Sequence, residues 1–296
     1  MSELPPLREL LQTHDLWAKK SLGQHFLLDL NITRRIAQCA GDIAGRAVIE
    51  IGPGPGGLTR ALLEAGADPV IVIEKDARFL PLLEPLVEWS GGRLRIVHGD
   101  ALAVDETALL SWTAGVPAGG TPAVREAVIV ANLPYNVGTP LLVKWLKAGP
   151  WRGDMTLMFQ KEVAQRIVAK PGSDAYGRLA VLAQARCDAR LEFTVPARAF
   201  TPPPKIASAI VRLTNSACPY PHLEALERVT AAAFGQRRKM LRSALRALTP
   251  DAESLLQEAK LSPTARAEEI DQAGFRRLTD AWRARAMLNL PDQTPK

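Results

Sequence analysis

Cysteine is scarce: Cys39, Cys187 and Cys218 are the only three in 296 residues, too widely spaced for a metal-ligating pair and odd in number for a disulfide set. A reducing compartment and buried thiols are the expectation. The four histidines, His14, His25, His98 and His222, also lack ligand spacing, so no metal is expected. No apolar run approaches the roughly eighteen residues that cross a bilayer. Met1 to Leu11 carries Glu3, Arg8 and Glu9 where a secretory signal would have an apolar core. The chain therefore reads as cytoplasmic, with no membrane partner. What is present is core-forming: apolar residues make up 47% of a chain long enough for one large α/β domain and a smaller second one. The net charge of +6 permits a nucleic-acid partner without requiring one.

The most informative stretch is Val128 to Asn136, V-I-V-A-N-L-P-Y-N, a β-branched run that stops at Asn132-Leu133-Pro134-Tyr135. It reads as a buried strand running into a loop. In open α/β sheets ligands bind at the strands' carboxyl ends, which makes these four residues candidates for chemistry. A plain turn is the competing reading, since Asn and Pro are common turn formers. The tetrapeptide would suit an exocyclic amine on a nucleobase, a poor nucleophile because its lone pair is delocalised into the ring. The Asn132 side-chain oxygen and the Leu133 carbonyl can accept its two N–H groups and favour a tetrahedral nitrogen. Pro134 stiffens the loop, and Tyr135 offers a face on which an extruded base can stack.

Ala47 to Ile51 is a second buried strand, running into Gly52-Pro53-Gly54-Pro55-Gly56-Gly57 and then a helix from Leu58 to Ala65. Glycines allow a tight strand-to-helix turn and a close approach of ligand to backbone. Gly52, Gly54 and Gly57 also satisfy the dinucleotide pattern, so this loop admits a nicotinamide enzyme. A third strand, Val70 to Ile73, ends in Glu74, about twenty residues on, where an acid can accept ribose hydroxyls. Leu94 to Val97 is followed by Asp100, which can take a hydrogen bond from a cofactor's adenine amine or cap a following helix. Glu50, just before the glycines, suits a cofactor ammonium and would repel a pyrophosphate. These residues favour S-adenosylmethionine over a nicotinamide dinucleotide.

Glu50-x-Gly52-x-Gly54, Glu74, Asp100 and Asn132-Leu133-Pro134-Tyr135, in this order at successive strand ends, resemble the Rossmann-like adenine N6 methyltransferases. With Leu22-Gly23-Gln24-His25-Phe26-Leu27, Phe200-Thr201-Pro202-Pro203-Pro204-Lys205-Ile206 and Phe234-Gly235-Gln236-Arg237-Arg238-Lys239, the chain more closely resembles the small-subunit (16S) ribosomal RNA adenine N6,N6-dimethyltransferase family. The resemblance covers roughly Lys20 to Leu278. It implies dimethylation of two adjacent adenosines near the 3′ end of small-subunit rRNA, with the small ribosomal subunit as partner and a role in its biogenesis. It also implies that His25 and Leu27 close over S-adenosylmethionine with Gly52 beneath the methionine portion, that Glu74 holds the ribose and that Asp100 holds the adenine. Asn132 and the Leu133 carbonyl would bind the target amine, with Tyr135 stacking on the base and Phe200 covering its other face. His25 stands where some members carry Asn, a change that a main-chain contact survives.

The implied fold is α/β, a Rossmann-like class I S-adenosylmethionine-dependent methyltransferase of about seven, mostly parallel strands. Leu191 to Val195 and Ala209 to Leu213 are expected as its antiparallel edge pair around the Phe200 to Lys205 loop. Phe200 by residue type alone is a core aromatic; the three prolines after it suggest an exposed functional loop. From Pro219 onward the period is helical, giving domains 1–217 and 218–296, the latter a small all-helical RNA-binding domain. Within it a helix from Gln236 to Leu248 carries Arg237, Arg238, Lys239, Arg242 and Arg246 with no acidic residue from Phe234 to Leu248. A solvated face is one reading of that run, and contact with phosphate is the other. Lys19, Lys20, Arg34 and Arg35 could extend the same surface. A monomer is expected. Two further functions stay open: the large-subunit dimethyltransferase type that confers macrolide resistance, and a non-catalytic RNA-binding assembly factor; a dehydrogenase is more remote.

Overall fold

From the N-terminus the chain forms α1 (Leu7–Thr13), β1 (Phe26–Leu27), α2 (Leu30–Cys39), β2 (Ala47–Ile51), α3 (Gly57–Glu64), β3 (Val70–Glu74), α4 (Leu80–Trp89), β4 (Leu94–His98) and α5 (Glu106–Ser111). Next come β5 (Ala127–Asn132), α6 (Gly138–Leu146), β6 (Arg152–Gln160), α7 (Lys161–Ile167), α8 (Arg178–Gln184), β7 (Cys187–Val195), β8 (Phe200–Thr201) and β9 (Ser208–Asn215). Helices α9 (Leu223–Gly235), α10 (Leu241–Ala244), α11 (Ala252–Glu258) and α12 (Gln272–Leu288) follow. These elements belong to a computed structural model that describes residues 4–16, 24–111 and 125–288. Lys19, Lys20, Leu22 and Gly23 lie outside the described residues.

The chain divides into two units, Met1–Ala164 with Ala189–Asn215, and Gln165–Asp188 with Ser216–Lys296. In the first, a seven-stranded sheet has the order β4-β3-β2-β5-β6-β9-β7. Strand β2 pairs in parallel with both β3 and β5. Strands β3 and β4, and β5 and β6, are also parallel, while β9 runs antiparallel to β6. The chain thus steps outward from β2 to β4 and returns at β5, beside β2. At such a reversal the loops after the two central strands diverge and leave a crevice at their carboxyl edge.

Every residue of β2 and β3 is buried, and in β5 all but Asn132. That is why these strands read as continuous Val and Ile runs without alternation: both faces are covered. Ile36, Val48, Leu62, Val70, Val128 and Phe200 share one core cluster. Each such side chain contributes on the order of 1.5–3 kcal/mol of burial free energy, which fixes the strand ends that carry the site.

Two features that pattern alone does not show position the site. Strand β1 pairs antiparallel with β8, Phe26 opposite Thr201 and Leu27 opposite Phe200. Phe26–Leu27 and Phe200–Thr201, far apart in sequence, are therefore one two-stranded ladder. Helix α3 starts against this ladder: a Cβ on Gly57 would stand 3.0 Å from the Leu27 carbonyl oxygen and 3.0 Å from Leu7 Cδ1. Only glycine lets the helix begin that close.

The second unit takes in more chain than the change of period at Pro219 suggests. Helix α8 buries Ala180, Val181, Leu182 and Ala183 and packs on α9 and α12. Tyr176, fully buried, donates to the Ile270 carbonyl at 2.9 Å and packs edge-on against Phe234, which stacks on Phe275. The expected continuous helix from Gln236 to Leu248 is a correction. Helix α9 ends at Gly235, residues 236–240 form a turn, and α10 is a single turn followed by a 3-10 turn, Leu245–Ala247. Gly235 weakens the helix there, and the Leu241 N–H bonds to the Ala265 carbonyl at 2.8 Å, where a continuing helix would direct it four residues back.

Candidate active site

Two adjoining cavities open at the carboxyl edge of the sheet's centre. The first is lined by His25 and Leu27 beside β1, Glu50 and Gly52 at the end of β2, and Asn132 to Tyr135 after β5. The second, of about 470 Å³, is lined by Asp76, Asp100, Ala101, Asn136 and Leu141 among others. Gly52, Glu74 and Pro134 border both. A volume of that order suits a nucleoside-sized ligand. Of the residues read from sequence as cofactor-binding, His25, Leu27, Glu50, Gly52, Gly54 and Glu74 line the first cavity and Asp100 the second; Asn132, read for the target amine, lines the first too. Leu133, Pro134 and Tyr135 also line the first.

The glycine loop and the acid at the end of β3 fix each other. The Gly54 N–H donates to Glu74 Oε2 at 3.2 Å and the Asp76 N–H to Glu74 Oε1 at 2.8 Å. Gly54 has φ of +52° and would set a Cβ 3.4 Å from the Phe26 ring, so the loop's shape depends on its being glycine. Each Glu74 oxygen keeps a lone pair that can accept a ligand hydroxyl. Burial, at 6% exposure, pushes the Glu74 carboxyl above its ordinary range. Glu50 is more extreme. It is 1% exposed and accepts a hydrogen bond from the Thr59 hydroxyl at 2.7 Å. Burial pushes its carboxyl up to about 8, with the Thr59 bond acting against that rise and the charge of Glu74 adding to it.

Asp100 accepts from Lys75 Nζ at 2.8 Å and from the Leu102 N–H at 3.0 Å, and the Lys75 ammonium holds its carboxyl below the usual range. It closes a local turn; the cap of α5 is Asp105, which accepts from the Thr107 N–H at 2.9 Å. Asp76 and its partners were not anticipated from sequence. Asp76 accepts from Gln24 Nε2 at 3.1 Å and from Arg78 Nε at 2.8 Å, and the Arg78 guanidinium brings its carboxyl down to about 2. The available signal was its place two residues after Glu74 at a strand's carboxyl end.

Around the tetrapeptide, the Val137 and Gly138 N–H groups both donate to the Pro134 carbonyl at 3.1 Å, so the chain turns there into α6. The Tyr135 hydroxyl lies 2.8 Å from Ser208 Oγ, and burial raises its pKa. The His25 ring stands 5.6 Å from the Tyr135 ring, tilted by 32°. His25 Nδ1 is 2.8 Å from the Pro202 carbonyl oxygen. A carbonyl only accepts, so Nδ1 carries the proton in this contact. This ring contact was missed by a reading that gave His25 a main-chain role alone.

Phe200 departs from its expected place. It is 3% exposed, sits in the core cluster with Leu27 and Val195, and lines neither cavity. His25, Phe26 and Phe79 line the first cavity with Tyr135, and the His25 ring is the one that packs against it.

The basic run is exposed at Arg237, Arg238, Lys239, Arg242 and Arg246. The fold supplies acids that the run itself lacks. Arg237 Nε bonds to Glu268 at 3.0 Å and its Nη2 to the Asp174 carbonyl, while Arg242 lies 3.5 Å from Glu253. Arg238, Lys239 and Arg246 have no ion-pair partner among the described residues.

The family model described as ribosomal RNA adenine dimethylase matches residues 16–282. Over 288 residues the chain is 60% identical to Ribosomal RNA small subunit methyltransferase A of Phenylobacterium zucineum, spanning 96% of this chain and 95% of that protein. Over 291 residues it is 53% identical to the protein of the same name from Maricaulis maris, spanning 96% and 97%. Among solved structures, a dimethyladenosine transferase from Plasmodium falciparum shares the fold with a TM-score of 0.71 at 24% identity, over 88% of this chain and 98% of that one. The 23S rRNA methyltransferase ErmE follows with a TM-score of 0.64 at 25% identity, over 87% and 99%.

Proposed function

The chain belongs to the ribosomal RNA adenine dimethylase family, and from that premise we propose the roles of the residues around its two cavities. It is an S-adenosylmethionine-dependent methyltransferase that dimethylates adenine in small-subunit ribosomal RNA. The observation that carries the assignment of roles is the meeting of Glu50, Glu74 and Asn132-Leu133-Pro134-Tyr135 on one pair of joined cavities where the strand order reverses.

The donor set fits the cofactor. Glu50 is a buried carboxylate without a cationic partner among the described residues, which suits the ammonium of a methionine portion. Glu74, aimed by two backbone N–H groups, takes the ribose hydroxyls, and Asp100, aimed by Lys75 and the Leu102 N–H, takes the adenine amine. Gly52 and Gly54 leave room for close approach, and His25 and Leu27 cover the first cavity. When bound, S-adenosylmethionine supplies a methyl group on a sulfonium, whose departure as a neutral thioether needs no acid.

On the target side, Asn132 Oδ1 and the Leu133 carbonyl accept the two N–H groups of the adenine amine, drawing its lone pair out of conjugation. Pro134 fixes the direction of that carbonyl. Tyr135 supplies the face on which the extruded base stacks, with its hydroxyl anchored on Ser208. Arg238, Lys239 and Arg246, with charge unspent on ion pairs, contact RNA phosphate, while Arg237 and Arg242 divide theirs with Glu268 and Glu253.

The finer reading is that two adjacent adenosines near the 3′ end are the targets, that the protein serves small-subunit biogenesis and that it acts in the cytoplasm as a monomer. The large-subunit alternative is less favoured: the chain is 53% to 60% identical to small-subunit enzymes and 25% identical to the 23S enzyme of the same fold. The test is transfer of labelled methyl to under-methylated small subunits, with large subunits in parallel and the nucleosides resolved after digestion. Label in N6,N6-dimethyladenosine from small subunits alone is expected. Label from large subunits would reassign the substrate, and RNA binding without label would leave an assembly factor.

A further inference from the structure

Glu50 combines three features that the assignment of a binding role does not use. Its carboxylate is enclosed, its one hydrogen bond among the described residues comes from the neutral hydroxyl of Thr59, and no cation among those residues reaches it. Thr59 is itself fully buried, in the first turn of α3, so the bond is shielded from water. Among the described residues no lysine or arginine lines the cavity around Glu50. Strand β3 presents Glu74, α3 presents Thr59, and the segment before β1 and the loop after β5 bring His25 and Tyr135 to the same cavity. A charged carboxylate in such a place is expensive. The neutral acid is the cheaper state until a cation arrives. Burial, with the second buried acid Glu74 nearby, accordingly holds the proton on Glu50 up to about pH 8.

Resting on the cofactor reading above, we propose that Glu50 is protonated in the empty site and releases that proton to solvent when the ammonium of the cofactor's methionine portion enters. Thr59 is a positioning residue that keeps the Glu50 carboxyl turned for that ion pair. The balance is simple: the O–H bond of Glu50 breaks, the proton leaves to buffer, and the carboxylate pairs with an ammonium that was already protonated. The geometry of Thr59 then has a purpose beyond helix packing. Its hydroxyl can donate to either protonation state of the acid, so the carboxyl does not need to rotate when the proton leaves.

The experiment is calorimetry of S-adenosylhomocysteine binding to the full chain at pH 6.5, in buffers of low and high ionisation enthalpy, which counts protons released. About one proton per molecule bound is expected for the wild type and about none for Glu50→Gln. Thr59→Val should weaken binding about tenfold with release retained, and Thr59→Ser should restore the affinity. The deaminated analogue of the ligand should bind the wild type weakly without releasing a proton, which keeps the test decisive even if a variant fails to fold. Binding of S-adenosylhomocysteine without proton release, or equal release from Glu50→Gln, overturns the proton step with the cofactor reading intact. Wild-type affinity in Thr59→Val overturns the positioning role, and no binding by the wild type removes the cofactor reading and the inference together.

Discussion

The Tyr135 hydroxyl lies 2.8 Å from the Ser208 hydroxyl, tying the loop after β5 to the first residue of β9. The ring proposed to carry the target base is thus anchored on antiparallel strand β9, which lies beyond β6 in the sheet, and its two proposed functions can be separated. Tyr135→Phe keeps the face and loses the tether, about 0.5–1.5 kcal/mol, so methyl transfer should fall less than about tenfold. Tyr135→Ala also loses stacking, about 1–3 kcal/mol more, and should fall well beyond that. Single-turnover methylation of small subunits measures both. Equal losses would mean that the tether, and not the face, matters.

Asn132 sits at the end of β5, the one residue of that strand not fully buried. Its proposed work is done on a rehybridised amine, so Asn132→Ala should leave cofactor affinity within a few-fold and lower kcat by about a hundred- to a thousandfold. Equilibrium binding and single-turnover rates together decide it. A parallel drop in affinity and rate would move Asn132 to the cofactor side of the cavity.

The cofactor-free protein should lose stability as pH rises. Glu50 has an ordinary value near 4.5 and is pushed up to about 8 by burial, so the folded chain binds this proton more tightly than the unfolded chain. Its contribution is present below about pH 4.5 and fades as pH rises from there through about 8. Glu74 acts in the same direction. Asp76, brought down to about 2 by Arg78, has the opposite sign, and its contribution is lost only under strong acid. Between pH 5 and pH 8 Tm should decline in the wild type and decline less in Glu50→Gln. Parallel curves would contradict the burial argument.

Within the basic run the residues should not behave alike. Removing Arg238, Lys239 and Arg246 together should weaken RNA binding and reduce its salt dependence, by about 0.7 to 0.9 in log–log slope for each phosphate left without its cation. Arg237→Ala, which breaks bonds to Glu268 and the Asp174 carbonyl, should show more of its effect in Tm. Titrations across a salt series distinguish the two, and an unchanged slope in the triple variant would return the run to a solvated surface.

Much of this was legible in the residues because it is local. Continuous Val and Ile runs of the right length, each ending in Gly, Glu or Asn, specify buried parallel strands and mark their carboxyl ends. The family motifs single out Glu50, Gly52, Glu74, Asp100 and Asn132, and the fold brings all five to the two cavities. Phe200 shows where such reading stops. Its motif suggested a base-covering ring, but the side chain packs into the core cluster with Leu27 and Val195. No property of a seven-residue motif encodes which face of a ladder it will join. The basic run carries the same lesson for charge: it has no acid within it in sequence, yet Glu268 and Glu253 pair with two of its members in the fold.

The sequence by itself determined the sheet and which residues stand at its strand ends, since hydrophobic period and turn residues act over a few positions. Tertiary structure decided what depends on distant partners. It set the ladder joining Phe26 to Thr201 and the His25 ring beside Tyr135. It also set the bond from Thr59 to Glu50 and the carboxylates that engage Arg237 and Arg242. The physical reason is that side-chain direction, burial and pairing are fixed by register and packing between segments far apart in the chain, and it is these that set which acids are enclosed, which rings meet and which charges are paired.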